Sequence, residues 1–134
     1  LHEDLQVLRV RRIHVDFSTL DGESAFIEIR TGTDNWGPFS VDFTDALPVG
    51  VAVEQVTIAA YSGNVDASTD LAGATDITSL TVETTYSPLV DNVYGFKLQH
   101  PGSSYRGTTG TLVFTVKTDY DGTYPFFFYP VKFF

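Results

Sequence analysis

Cysteine is missing from this chain of 134 residues, and methionine with it. Without Cys there are no disulfides, no thiolate metal sites and no thiol nucleophile, and nothing points to an oxidising compartment. Basic residues are scarce: eight Lys and Arg stand against 17 Asp and Glu, for a formal net charge of −9. Four of the five Arg fall in the first 30 residues, whereas Thr31 to Tyr105 carries nine acids against one base, Lys97. Phosphate backbones and anionic lipid both require clustered Lys and Arg, so neither nucleic acid nor membrane is an expected partner. The cluster Arg9, Arg11 and Arg12 is the one exception, suited either to a solvated strand face or to contact with an acidic surface. Long apolar runs are also lacking. The longest, around Phe126 to Val131, falls far short of the roughly 20 residues of a membrane span, and the opening LHEDLQ has neither the basic nor the apolar region of a signal peptide. A chain opening Leu-His is expected to start inside a longer or processed protein.

The groups that catalysis needs are thinly spread. His2, His14 and His100 lie far apart in unlike contexts, and no Gly-x-Ser-x-Gly elbow marks a nucleophile. Paired carboxylates on a β-sandwich would suit a glycosidase, but the chain is short for enclosing a sugar. No enzymatic activity and no cofactor are expected. Asn64, Asp66, Asp70 and Asp76 offer oxygen ligands for calcium from one loop, yet their spacing is not that of a calcium loop, and acids that hold turns explain them equally. Trp36, with Tyr61, Tyr86 and Tyr105, offers a sugar-stacking platform, against the plainer reading of a plug at the base of a sandwich.

What the chain does have is short alternating runs. Leu5 to Phe17 reads as an edge strand or extended arm interrupted by Arg9 and Arg11, and Ala25 to Thr31 pairs with it as a plausible hairpin. The turn formers from Thr33 to Pro38 separate this section, residues 1–36, from a main body, residues 37–134, within one compact unit. Phe39, Val41 and Phe43 alternate with Ser40 and Asp42, which predicts one core face and one solvent face. From Val53 to Ala60 the apolar phase slips by one, which requires a bulge near Glu54 and Gln55. Ser62 to Asp76 reads as a surface loop, and strands are expected at Ile77 to Glu83, Val93 to Gln99 and Leu112 to Thr118. A hairpin turn at Tyr120 to Gly122 precedes the last strand. No sustained helical period occurs, so the fold expected is an all-β sandwich with essentially no helix.

The last twelve residues, TYPFFFYPVKFF, hold seven aromatics. Each buries roughly 150 to 250 Å², far more in sum than a soluble monomer leaves in water. Phe126 and Phe128 point one way while Phe127, Tyr129, Val131 and Phe133 point the other, so both faces need cover. The aromatic strand, including Phe134, is therefore expected to supply a subunit interface.

From Phe39 onward three features coincide: Leu47 with Gly50 before Val56-Thr57-Ile58, then Val116-Lys117-Thr118 running to Gly122, then a final apolar strand. This layout resembles the immunoglobulin-like domains of tailed-phage virion proteins, though no aromatic opens the Leu112 strand as a tyrosine corner would require. The resemblance implies an immunoglobulin-like β-sandwich with an N-terminal strand or arm extension. It further implies a head decoration or cement protein on the outer capsid surface of the virion, a homotrimer whose Arg9, Arg11 and Arg12 meet the major capsid protein. The alternative is a carbohydrate-binding or host-adhesion module centred on Trp36.

Overall fold

The structure is a computed structural model that describes residues 12–14, 26–32, 36–66, 68–120 and 126–134. Its strands are β1 (Arg12–His14), β2 (Ile27–Ile29), β3 (Trp36–Asp42), β4 (Val53–Ser62), β5 (Val82–Glu83), β6 (Leu89–Val90), β7 (Val93–Leu98), β8 (Thr109–Thr118) and β9 (Phe126–Phe133). They form two sheets packed face to face. The first runs β1-β3-β7-β5, with β6 also paired to β7, and the second runs β2-β9-β8-β4. Taking β3, β4, β5, β7, β8 and β9 as strands B to G, these are the A-B-E-D and C-F-G orders of an immunoglobulin-like sandwich, with β2 added beside β9. The fold is all-β, as the alternation implied. One departure lies at the A position, where β1 runs parallel to β3.

The core follows from the two-residue period. Leu112, Phe114, Val116 and Thr118 all turn inward from β8, and Phe39, Val41 and Phe43 turn inward from β3 and its end. Aromatic rings tie the core together: Phe96 stacks on Phe39 within the first sheet at 5.4 Å and meets Phe114 of the second edge-on at 5.3 Å, while Phe43 lies 5.2 Å from Phe127 across the sheets. Each such pair contributes about 0.5–1.5 kcal/mol beyond the area it buries. The slip in β4 is where the sequence requires it, as a register shift between Val53 and Gln55.

Three expectations need correction. Among the described residues the two N-terminal runs do not pair with each other: β1 joins the first sheet through β3 and β2 joins the second through β9. Ile27 and Ile29 belong to the same buried cluster as the residues of the main body. Ile77 to Glu83 is a single helical turn, Thr78–Thr81, followed by the two-residue β5. Asp76, just before that turn, accepts from the backbone N–H and the hydroxyl of Thr78, and the expected inward Leu80 is left 42% exposed. With three 3-10 turns besides, helix amounts to 12% against 48% strand. Finally, Ser40 is buried, not solvated. Its partner across the sheet is Gly95, and because Gly95 has no side chain, Tyr86 and Pro88 close down on the outer face at that level.

Among the described residues no helix is long and apolar enough to cross a membrane.

Candidate functional site

The surface that the sequence singles out is the outer face of the second sheet. Along β9 the inward set Phe127, Tyr129, Val131 and Phe133 is buried, whereas Phe126, Pro130 and Lys132 are exposed and Phe128 is half-buried. The expected interface therefore divides. Phe127, Tyr129 and Phe133 are consumed by this chain's own core and are withdrawn as contact residues. Burial also raises the Tyr129 phenol above its ordinary value, since an apolar setting disfavours the phenolate. Phe126, Phe128 and Phe134 remain outward, with Phe126 at 51% and Phe134 at 43% exposure.

Part of this second face is covered from within the chain. After β4, residues 63–66 and 68–71 lie over it, pinned by Thr111, whose outward hydroxyl accepts from the Val65 N–H at 3.1 Å and donates to the Gly63 carbonyl at 2.9 Å. Val65 and Val113 are both buried yet stand outside the central cluster, as a small second core under this loop. Between the loop and β9 a cleft of about 350 Å³ stays open, lined by Asp66, Thr69 and Leu71 on one side and Phe126 and Phe128 on the other.

Electrostatics distinguish the two halves of the face. At the β2 end Arg30 reaches Glu28 at 3.1 Å and lies 5.3 Å from the Phe134 ring centroid, and Lys132 lies 4.2 Å from that of Phe26. Phe126 and Phe128 have no such cation among the described residues. The charged group that lines the cleft with them is Asp66, whose Oδ1 accepts from the Ser68 N–H at 2.9 Å, the Ser68 hydroxyl at 2.6 Å and the Thr69 hydroxyl at 3.2 Å. Those donors favour the ionised form and hold its carboxyl below the ordinary range, led by the Ser68 hydroxyl. Oδ2 meets no donor among the described residues.

The remaining sequence candidates do not converge. Asp66, Asp70 and Asp76 each hold a separate turn, and no group of three or more potential ligands gathers among the described residues. Tyr86 covers the outer face of the first sheet, with the Lys97 ammonium 4.6 Å from its ring. Tyr61 stands on β4 of the second sheet, and Tyr105 packs edge-on against Phe133 at 6.3 Å, so the three tyrosines make no common platform. Trp36 is described by its backbone alone, which opens β3 opposite Leu98. Arg12 likewise begins β1, and Arg9 and Arg11 lie outside the described residues.

Sequence reasoning missed a second cleft, of about 680 Å³, at the opposite end of the strands from His100. Leu47 to Val53, Leu89, Asp91 and Asn92 line it, Val49 among them strongly exposed. Asn92 braces its wall by accepting from the Val53 N–H and donating to the Val51 carbonyl. The signal was present in the run Leu-Pro-Val-Gly-Val, which is more apolar than a turn requires.

Compared with known protein families, with characterised proteins and with solved structures, the chain matches none.

Proposed function

We propose that this protein is a non-enzymatic structural component of a phage virion, a head decoration protein that binds the major capsid protein on the outer shell and strengthens it. The observation that carries this reading is the open aromatic rim Phe126, Phe128 and Phe134 on one face of an immunoglobulin-order sandwich with an acidic surface. Three large apolar side chains in one row are too many for chance exposure and suit contact with another protein. Copies pack through this rim, as a homotrimer, and the basic N-terminal segment, through Arg12, faces acidic groups on the shell. The resemblance of Phe39 to Phe134 to phage virion domains supplies the identity of the shell.

Incubating the full chain with undecorated tailed-phage capsids, and in parallel with a glycan array, tests the reading. Co-sedimentation with capsids that weakens as salt rises supports it, because rim charges are screened. Binding to a glycan without binding to capsids replaces it with a sugar-recognition or adhesion role.

A further inference from the structure

We propose that the cleft between Phe126, Phe128 and Asp66 receives Arg9 and Arg11 from a second copy of this chain, so that each copy's N-terminal segment is held by its neighbour. The contact forms between copies in free solution and does not rest on the capsid reading.

Three observations converge on this occupant. The first is spacing. Phe126 and Phe128 are two residues apart on the outward face of β9, about 6.8 Å along an extended strand. Arg9 and Arg11 have the same separation in a segment whose residues alternate as a strand, so two guanidinium groups fall over two rings in one register. Arg12 has the opposite parity and is left free for the shell. The second is the chemistry already used on this face, where Arg30 covers Phe134 and Lys132 covers Phe26. Among the described residues no cation covers Phe126 or Phe128, the outward rings of β9, and no donor meets Oδ2 of Asp66 beside them, which suits the fork of a guanidinium. The third is charge. Thr31 to Tyr105 offers one base in all, whereas the first twelve residues hold three Arg, so the chain carries both halves of a complementary pair at different places.

Arg11 adjoins β1 and Arg9 lies two residues before it, so the pair extends only about 10 Å from the start of β1, and the neighbouring copy brings its cleft against that edge of the first sheet. Such a contact joins two different surfaces, so it is heterologous, and a ring of copies closes it.

Sedimentation velocity of the full chain over a concentration series, at low and high salt, tests the proposal with charge exchanges. The wild type associates, and less so at high salt. Phe126→Lys, at an exposed position that leaves the core intact, and the pair Arg9→Glu with Arg11→Glu each weaken association by roughly tenfold or more. Combining the two sets recovers part of it, since the introduced cation then faces the introduced acids across the contact. Asp66→Asn keeps the oxygen that Ser68 and Thr69 need and still weakens association. Circular dichroism confirms that every variant is folded. A wild type that stays monomeric at all concentrations overturns the proposal. If Phe126→Lys dissociates the copies and the Arg changes do not, the arm is not the occupant, although the rim remains an interface.

Discussion

Gly110→Ala probes the closure of the β8–β9 pair at the level where the last inward ring is seated. A Cβ at Gly110 would stand 2.9 Å from Cε2 of Phe133, 3.0 Å from its Cζ and 3.0 Å from the backbone carbonyl oxygen of Tyr61. Neither neighbour has room to yield. Phe133 is 1% exposed, with the His100 ring edge-on at 5.7 Å and the Tyr105 ring at 6.3 Å, and the carbonyl belongs to β4, which is paired to β8 along its length. Overpacking of this kind costs about 1–3 kcal/mol, while the stiffer Ala returns about 0.5–1 kcal/mol, leaving a net loss of about 1–2 kcal/mol. For a domain of this size that lowers Tm by about 4–8 °C. Thermal unfolding followed by far-ultraviolet circular dichroism measures it. Gly73→Ala is the control, because nothing lies within 4 Å of a Cβ there, and it should leave Tm unchanged or slightly raised. Adding Phe133→Leu, which shortens the obstructing ring, should make the double variant more stable than the sum of the single losses. A Gly110→Ala protein as stable as the wild type, with purely additive doubles, would refute the packing described for this end of the sandwich.

Thr81 is fully buried and its hydroxyl has no partner, so Thr81→Val, equal in shape, should raise stability by about 1 kcal/mol in denaturant unfolding. Asp91 holds a left-handed φ of 56° in the two-residue turn between β6 and β7, so Asp91→Gly should relieve strain and raise the unfolding midpoint. Thr78 and Thr85 donors hold the Asp76 and Glu83 carboxyls below their ordinary values of 3.8 and 4.5. Because the folded values are depressed, the stability they supply is complete above those ordinary values and is lost as pH falls through the lower folded ones. Asp76→Asn retains the acceptor, so the fall of Tm in acid should become shallower. Asn92→Ala removes both bonds that brace the Val51–Val53 wall and should cost about 1–3 kcal/mol.

The strands that proved legible in the sequence are those whose side chains face two unlike media. Leu112 to Thr118 and Phe39 to Phe43 alternate because one face is core, and the bulge at Glu54 could be located because a one-residue slip must be absorbed somewhere. Partner choice was not legible. Ile27 and Ile29 alternate like any half-buried strand, and nothing local says that they pair in parallel with Val131 and Phe133, about a hundred residues away, instead of with the preceding run. Ile77 to Glu83 misled for a physical reason: its apolar residues fit a strand, but the Asp76 side chain accepts from the Thr78 N–H and hydroxyl, a local turn that prevails over four residues. For the candidate site, the two-sidedness of β9 could be read directly. The half-cover by residues 63–66 and 68–71 could not, since it depends on Thr111 and Val65, 46 residues apart in sequence.

The outward aromatic row as an assembly surface is tested most directly by the native mass of the full chain in solution, measured by light scattering during gel filtration for the wild type and for Phe126→Ser with Phe128→Ser. These substitutions fall on the outer face, so the sandwich should stay folded in both proteins. The account expects the mass of a small closed oligomer for the wild type, three copies in the proposed ring, and that of a single chain for the variant. Equal masses for the two proteins would contradict it.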